Sequence, residues 1–376
     1  MRIGILTQPL VNNYGGLIQA YALKTVLQNL GNEVCIINRT GYLRRNQIIW
    51  RKFLSSCKKF KESFLRNNIS DNTKSIINSN CTRFINNYII DVSKDLSTLD
   101  EFTQYIKTKR FDAYVVGSDQ VWRPIYSPCI ENYYLDFCLN DDVKKIAYAA
   151  SFGVDEWEYT NKETRICSDL AKRFTAISVR EESAIRLCKK HLGVNAIHVL
   201  DPTLLLDTEE YTKIVISENE SKSSGTLFYY LLDETEEKLN LINYIENKLN
   251  LKSFKCLPNK KITIEGNVDN IEDYVYPSPT KWIRSFMDAE MVLTDSFHGT
   301  VFSIIFNKPF WVLHNAHRGN TRFDSLLKIF GLQDRLINIS EYNKHDYSKP
   351  IDWNRVNNIK KQKREESIDF IKNALI

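Results

Sequence analysis

Short apolar runs alternate with longer runs of helical spacing along most of this 376-residue chain. Residues 2–7 (RIGILT) have the composition of a buried strand, a turn with two glycines follows at residues 12–16, and residues 17–30 place apolar side chains at i, i+3 and i+4. Residues 33–38 (EVCIIN) then have the composition of a second strand. A strand, a helix and a strand in this order form a βαβ unit with parallel strands and a right-handed crossover.

The second half of the chain repeats the alternation, which predicts a second α/β domain. Strands are predicted at residues 225–232, 253–257, 291–293 and 309–314, and helices at residues 234–249, 280–287 and 322–331. The chain is also longer than most single hydrophobic cores. We therefore predict two α/β domains with a cleft between them, at residues 1–207 and 208–350. The first is expected to carry a helical, basic insertion at residues 41–96, and a terminal helix at residues 351–376 is expected to pack back on it.

The composition is that of a cytosolic globular protein. The hydrophobic content of 43% and the charged content of 26% are ordinary for a folded chain. Eight cysteines are scattered without a CxxC pair, and a chain of this length does not need disulfides, which favours reduced thiols. The N-terminus lacks a secretory hydrophobic region, and no apolar stretch approaches the roughly 20 residues of a membrane span. We expect a cytoplasmic protein.

The positive charge of the chain is concentrated in one segment. Residues 44–66 contain eight basic residues and one acidic residue, a local charge of +7, so that the rest sums to −2 within the total of +5. This aromatic, basic segment predicts either a helix at the anionic inner face of a membrane or a helix packed on the sheet with its charges in water. Cosedimentation with anionic vesicles, with and without the segment, distinguishes the two. Nucleic acid is not expected as a partner, because the rest of the chain is slightly acidic.

Three polar groups follow predicted strands at their carboxyl ends, where open α/β sheets bind ligands. They are Asp119, Arg180 and the sequence TDSFHGT at residues 294–300. The third group reads as a tight turn and a helix start. A helix N-terminus offers unpaired N–H groups and a partial positive charge, so an anion is favoured there, with His298 placed to contact it. A lone histidine at a turn also often has only a structural role.

The first two groups each allow a functional and a structural interpretation. The guanidinium of Arg180 can pair bidentately with a carboxylate or phosphate of a ligand, or with an acidic neighbour. Asp119 can accept a proton from a hydroxyl, or it can cap the following turn. The candidate ion-pair partners of Arg180 are Glu181, Glu182 and Asp201.

The sequence does not predict a metal site or a phosphate-binding loop. His298, His314 and His317 lack the spacing of metal ligands. The segment GSDQ at residues 117–120 has no GK[ST], which argues against a P-loop, and the glycine turn at residues 12–16 lacks the GxGxxG spacing of a dinucleotide site.

Six motifs carry a resemblance to a known family. They are NYGGLIQAYAL (13–23), VVGSDQVW (115–122), YAASFG (148–153), SVREES (178–183), DPTLLL (201–206) and TDSFHGTVFSIIFNKPF (294–310). In this order they resemble the polysaccharide pyruvyl transferase family. The resemblance covers the core of the first domain and the second domain to residue 331, whereas the basic insertion and the tail after residue 340 lie outside it.

The resemblance implies a reaction, a fold and donor-associated residues. Pyruvate would pass from phosphoenolpyruvate, a co-substrate, onto two hydroxyls of one sugar in a surface or exopolysaccharide precursor, giving a cyclic ketal and releasing phosphate. The implied fold is similar to that of GT-B glycosyltransferases, with two facing Rossmann-like domains. In the family the SFHG-type histidine, the residue before it and the arginine after the SV-type strand are associated with the donor. They correspond to His298, Phe297 and Arg180, and no cofactor or metal is implied.

These considerations lead to specific site assignments. His298 is predicted to bind the donor phosphate or to act as an acid, Arg180 to hold the donor, and Asp119 to assist the acceptor hydroxyl. These three are the predicted catalytic residues. The predicted donor-binding residues are Arg180, Ser296, Phe297, His298, Gly299 and Thr300.

Two other functions are open at this point. A nucleotide-sugar-dependent glycosyltransferase of polysaccharide biosynthesis suits two facing α/β domains equally well, since a fold does not determine a reaction. A non-catalytic sugar-binding or scaffold protein is the other, in which the polar residues would be only structural. The expected partners are phosphoenolpyruvate and a saccharide acceptor, with a lipid-linked acceptor as one alternative.

Overall fold

The computed structural model describes residues 1–41, 69–127, 129–262, 268–314 and 321–376. The basic segment at residues 44–66 and His317 lie outside the described residues, so both interpretations of the segment stay predictions. Within the described ranges, no helix is long and apolar enough to cross a membrane.

Two parallel sheets form the framework. The strands of the N-terminal sheet are β1 (Arg2–Leu6), β2 (Glu33–Ile36), β3 (Ala113–Val116), β4 (Lys144–Ala150), β5 (Ala176–Val179) and β6 (Ile197–His198). Those of the C-terminal sheet are β7 (Leu227–Tyr230), β8 (Ser253–Phe254), β9 (Met291–Thr294), β10 (Phe310–Leu313) and β11 (Leu336–Ile337). The strand orders are β2-β1-β3-β4-β5-β6 and β11-β10-β9-β7-β8.

Each sheet changes its direction of strand addition once. The change lies between β1 and β3 in the first sheet and between β7 and β9 in the second, and both of these pairs are parallel. In open α/β sheets ligands bind outside the carboxyl ends of the strands at such a point. The topology therefore marks one candidate position in each domain.

Helices connect and cover the strands. They are α1 (Tyr14–Asn29), α2 (Asp71–Ile77), α3 (Ser79–Tyr88), α4 (Leu99–Thr108), α5 (Asn161–Ala171), α6 (Glu182–Leu187), α7 (Thr208–Ser217), α8 (Glu236–Leu249), α9 (Pro279–Asp288), α10 (Phe297–Ile305), α11 (Thr321–Phe330) and α12 (Trp353–Leu375). Side-chain caps explain several starts, because they accept otherwise unpaired N–H groups. At α9, for example, the Ser278 hydroxyl accepts the Lys281 N–H at 2.9 Å, and Pro279 occupies the first helical turn.

Helix α1 begins earlier than the sequence indicates. The predicted turn at residues 12–16 is wrong for its last three residues, since the helix starts at Tyr14 and contains both glycines. Tertiary contacts explain the difference. The Tyr14 hydroxyl donates to the Pro277 carbonyl at 2.9 Å, and the Tyr14 ring lies 5.8 Å from that of Trp282. The C-terminal domain thus holds the first turn of α1 in helical form, overriding the low helix propensity of glycine.

The terminal helix α12 lies against the N-terminal domain. Its Phe370 ring is 6.3 Å from the Tyr148 ring of β4, and its Ser367 hydroxyl accepts the Leu200 N–H at 3.1 Å. Ile371 is 2% exposed and belongs to the same apolar cluster as Tyr148. The chain therefore crosses back to its first domain after completing the second, and the prediction of two α/β domains of Rossmann type is confirmed.

Candidate functional site

The candidate site lies where the changes of strand order in the two sheets meet. The loop after β3 carries Asp119, the residue after β5 is Arg180, and the turn after β9 leads to His298. All three are buried, with relative exposures of 6%, 3% and 7%. The structure brings together the three residues predicted to be catalytic.

Arg180 is held by two carboxylates. Its Nη1 donates to Oδ2 of Asp201 at 3.0 Å, and its Nη2 donates to Oδ1 of Asp119 at 3.2 Å. Burial alone would lower the pKa of Arg180, but Asp119 and Asp201 raise the pKa above its ordinary value. Asp201 was among the partners considered from the sequence, whereas Asp119 was not. The protein itself orients this guanidinium.

The two glutamates after Arg180 have separate structural roles. Glu181 is fully buried, and its Oε1 accepts the Ser151 hydroxyl at 3.0 Å and the Phe152 N–H at 2.8 Å. Glu182 is exposed, and its Oε2 receives the Lys328 ammonium at 2.8 Å. Glu181 therefore joins the SVREES and YAASFG motifs, while Glu182 joins the N-terminal domain to α11.

Asp201 links several parts of the site. Its Oδ1 accepts the N–H and the hydroxyl of Thr203 at 3.1 and 2.7 Å, and its Oδ2 accepts the Ser118 hydroxyl at 3.1 Å. Burial raises the pKa of the Asp201 carboxyl, but His298 and then Arg180 outweigh burial and hold the pKa well below its usual range. The sequence showed DPTLLL as a motif without indicating that its aspartate contacts both Arg180 and His298.

His298 reaches from the C-terminal domain into the N-terminal domain. It is the second residue of α10, and its Nε2 lies 3.7 Å from Oδ2 of Asp201. In the part of the chain that the structure describes, this buried Nε2 has no hydrogen-bond partner. The other side of the ring contacts Gly15, where a Cβ atom would overlap the imidazole. His298 is thus confined between Asp201 and the first turn of α1.

Two buried arginines lie over the ring of Phe297. Cζ of Arg180 is 4.4 Å from the centre of the Phe297 ring, and Cζ of Arg322 is 5.9 Å from it. Burial first and Arg180 second lower the pKa of Arg322 to about 10. Sequence reasoning missed Arg322. Its position near the start of the helix after β10 was the available signal, but only the fold places that helix beside Arg180.

The remaining predicted donor-binding residues shape the turn. The Ser296 hydroxyl caps α10 by accepting the Gly299 N–H at 3.4 Å. Gly299 packs so closely on Thr294 that a Cβ atom would overlap the Thr294 hydroxyl. The Thr300 hydroxyl donates to the Ser296 carbonyl at 3.1 Å, and Thr300 is fully buried. The side-chain roles of Ser296 and Thr300 observed here are therefore structural, and their contact with a donor stays a prediction.

Asp295, the other polar residue of this turn, also has structural contacts. Its carboxylate accepts the Lys238 ammonium at 2.7 Å and the Leu232 N–H at 2.7 Å. These bonds connect the turn after β9 to the end of β7. Across the described residues, no group of three or more His, Cys, Asp or Glu side chains could hold a metal ion.

The arrangement is suited to binding an anion and moving a proton. Two guanidiniums and the N-terminus of α10 supply positive charge. An imidazole and the Asp119 carboxylate, whose side chain is 8% exposed, are groups that can exchange protons. Burial strengthens the electrostatic effect of every one of these groups.

Comparisons with known proteins concern the family and the fold of this chain. The family model described as polysaccharide pyruvyl transferase matches residues 13–317. General stress protein 30 of Bacillus subtilis (strain 168) is 26% identical over 200 residues, which are 50% of this chain and 54% of that protein. The chain thus spans about half the length of the curated relative that it matches. The match to the family model contains Gly15, Asp119, Arg180, Asp201 and His298.

Solved structures show the same fold at low sequence identity. The S. aureus MnaA structure with UDP has a TM-score of 0.51 and 11% identity, covering 91% of this chain and 86% of that one. The glycotransferase of kitacinnamycin has a TM-score of 0.50 and 10% identity, covering 100% and 99%. The two Rossmann-like domains have the fold of the GT-B glycosyltransferases, as predicted.

Proposed function

The chain belongs to the polysaccharide pyruvyl transferase family, and from this premise we propose that it transfers pyruvate from phosphoenolpyruvate onto two hydroxyls of one sugar in a surface or exopolysaccharide precursor. The observation that carries the proposal is that the buried Arg180 and Arg322 both lie over the ring of Phe297, the residue before His298. A small donor with a carboxylate and a phosphate matches two guanidiniums at a helix N-terminus.

The reaction requires a balanced exchange of bonds and protons. One sugar hydroxyl adds to C2 of phosphoenolpyruvate while a proton is delivered to C3, which becomes a methyl group. The bond from C2 to the phosphate oxygen then breaks, phosphate leaves, and the second hydroxyl adds to C2 to close the ketal. One hydroxyl proton replaces the proton given to C3, and the other leaves with phosphate or solvent.

Arg180 would hold the donor by exchanging one carboxylate partner for another. Asp201 is fully buried and bonded to Thr203 and Ser118, so it stays with Arg180. Asp119 has the more exposed side chain, and its Oδ1 accepts a hydrogen bond from Nη2 of Arg180 at 3.2 Å. A donor carboxylate that replaces Asp119 at Nη2 would release the Asp119 carboxylate to accept a proton from the acceptor hydroxyl.

His298 would bind the donor phosphate or deliver the proton to C3. Its Nε2 is buried and lies 3.7 Å from Oδ2 of Asp201. A protonated Nε2 can donate either a hydrogen bond to phosphate or a proton to carbon. Both roles require that Nε2 be the reactive nitrogen, because Gly15 covers the Nδ1 side.

The test measures phosphate release and the product mass together. Wild-type protein incubated with phosphoenolpyruvate and candidate lipid-linked oligosaccharides should release phosphate and add the mass of one pyruvate ketal. His298→Ala should lose about 100-fold or more in rate, a typical contribution of general acid catalysis. His345→Ala is the matched control, because His345 packs on Trp311 in the same domain, with ring centres 5.5 Å apart. Wild-type phosphate release by His298→Ala would remove the assignment.

The alternative is a nucleotide-sugar-dependent glycosyltransferase. The GT-B fold suits that reaction as well, but the fold does not determine the chemistry. Parallel incubations with nucleotide sugars separate the two, since only one donor type should be consumed. Consumption of a nucleotide sugar with phosphoenolpyruvate left intact would replace the proposed function.

A further inference from the structure

Arg322 is a strongly buried cation over the Phe297 ring, and the site assignments give it no role. We infer that Arg322 binds the phosphate group of the donor, while Arg180, which lies over the same ring, binds the donor carboxylate. This inference rests on the proposed function. It concerns a residue outside the range that the family model matches, which ends at residue 317.

The guanidinium of Arg322 lies near the start of α10. Arg322 is the second residue of α11 and is 8% exposed. Its Cζ lies 5.9 Å from the Phe297 ring centre, and Phe297 is the first residue of α10. Arg322 and the N-terminus of α10 therefore belong to one domain and lie side by side. Together they offer a phosphate both a bidentate cation and helical N–H groups.

Two contacts with Glu182 of α6 hold α11 beside the site. The Ser325 hydroxyl accepts the Glu182 N–H at 3.0 Å, and the Lys328 ammonium pairs with the Glu182 carboxylate at 2.8 Å. Residues three apart on a helix share a face, so Arg322 points to the same side as Ser325. Glu182 is two residues after Arg180. The contacts of Glu182 with Ser325 and Lys328 therefore set the spacing between the two guanidiniums.

The side chains around Arg180 present a net negative charge to a donor. Arg180 already lies against the Asp119 and Asp201 carboxylates, so these three side chains sum to −1. A donor with a carboxylate and a phosphate would be repelled by that group alone. Arg322 adds a positive charge 5.9 Å from the centre of the Phe297 ring. The phosphate, the more highly charged end of the donor, is therefore assigned to Arg322.

The positive charges of Arg180 and Arg322 repel each other. Burial first and the neighbouring Arg180 second lower the pKa of Arg322 to about 10, and Asp119 and Glu181 oppose this lowering. An anion bound near both guanidiniums reduces the repulsion between them. Negative charge also grows on the phosphate as its bond to C2 breaks, and a guanidinium fixed at that oxygen stabilises the change.

The experiment compares Arg322→Lys and Arg322→Gln with Arg335→Lys. Arg335 is the matched control because it is 1% exposed, belongs to the same domain and lies over an aromatic ring, 4.9 Å from the centre of Trp311. Both Arg322 variants should raise the KM for phosphoenolpyruvate by about 10- to 100-fold, the size expected for a hydrogen bond to a charged group. Arg335→Lys should leave that KM unchanged even where it lowers the melting temperature.

Separate probes then test the division of the donor. Inorganic phosphate and pyruvate should each raise the melting temperature of the wild-type protein. Arg322→Lys should lose most of the shift caused by phosphate and keep the shift caused by pyruvate, and Arg180→Lys should show the reverse. Equal loss of both shifts in Arg322→Lys, or loss of neither, would overturn the assignment.

A measurement on the wild-type protein covers the case in which the variants fail to fold. Phosphate should slow amide hydrogen exchange in the first turn of α11, and pyruvate should not; unchanged exchange there contradicts the inference. Phosphate protection that depends on Arg322, without consumption of phosphoenolpyruvate, would refute the proposed function and leave the phosphate site. Turnover of phosphoenolpyruvate with an unchanged KM in Arg322→Lys would refute the phosphate-binding role of Arg322 and leave the proposed function.

Discussion

Asp201 shows how one side chain can organise a site without being exposed to a ligand. Its two oxygens receive bonds from Thr203, Ser118 and Arg180, and His298 lies 3.7 Å away. A buried carboxylate is stable only when such partners replace the water that it has lost. Asp201 therefore fixes the orientation of Arg180 and sets the electrostatic environment of His298.

Asp201→Asn should destabilise the protein by about 3 kcal/mol at neutral pH, since removing one partner of a buried ion pair leaves an uncompensated charge. The pKa of Asp201 is lowered in the folded protein, so its contribution is complete above the ordinary carboxyl pKa of about 3.9 and is lost as the pH falls through the lowered value. The difference in stability between wild type and variant should therefore shrink below about pH 4.

Calorimetry at neutral and acidic pH measures this difference. Asp334→Asn is the control, because Asp334 pairs with Lys349 at the surface and its side chain is 43% exposed. That variant should change stability by less than about 1 kcal/mol. An Asp201→Asn protein as stable as wild type at pH 7 would show that Asp201 is not required to neutralise Arg180.

At the scale of elements, the N-terminal ends of α1 and α10 meet. Gly15 of α1 and His298 of α10 are in contact, although 282 positions separate them in the chain. Each helix follows the carboxyl end of a strand next to the change of strand order, so the meeting point joins both domains. Glycine is required at position 15 because any side chain would occupy the place of the imidazole.

Gly15→Ala should displace His298 and reduce phosphate release by about 10-fold or more, since a shift of about 1 Å in a catalytic group costs that much. Gly16→Ala is the matched control: a Cβ atom there would contact only the flexible side chain of Asn13, at 3.0 Å. Alanine is the better helix former at both positions, by about 1 kcal/mol. Gly16→Ala should therefore keep its activity. Full activity of Gly15→Ala would mean that the His298 position is not critical.

At the scale of the whole molecule, α12 ties the end of the chain to the first domain. Its Ser367 bonds to Leu200, and Phe370 lies beside Tyr148. The N-terminal domain is therefore packed against a helix that follows the C-terminal domain in sequence. The stability of the first domain and the relative position of the domains depend on this helix.

Ile371→Ala should lower stability by about 2–5 kcal/mol, the usual range for a buried isoleucine whose removal leaves a cavity. Lys372→Ala, one position later on the exposed side, should change little. Limited proteolysis locates the effect: Ile371→Ala should expose the N-terminal domain to cleavage first. Earlier cleavage of the C-terminal domain would contradict the assigned packing.

The hydrophobic periodicity and the ends of the strands could be predicted from the sequence. The βαβ order, the turn after β9 and the placement of Asp119, Arg180 and His298 after strands were all predicted, because each depends on residues close in sequence. The start of α1 was not, since Tyr14 and Gly15 become helical through contacts with the other domain. Arg322 was missed as a site residue, and Asp201 was considered only as a partner of Arg180, because their other contacts depend on how the domains pack.

The amino-acid sequence by itself determined the alternation of strands and helices, the two α/β domains that follow from it, and the order of motifs that resembles the pyruvyl transferase family and through it implies the GT-B fold. Only the tertiary structure decided that His298 lies between Asp201 and Gly15 and that Arg180 and Arg322 both lie over the Phe297 ring. Local patterns reflect the burial of residues near in sequence, whereas the contacts of His298 with Asp201 and Gly15, and of Arg180 with Phe297, join residues more than 95 positions apart. Such contacts depend on how the two sheets and the helices α1, α10 and α11 pack together.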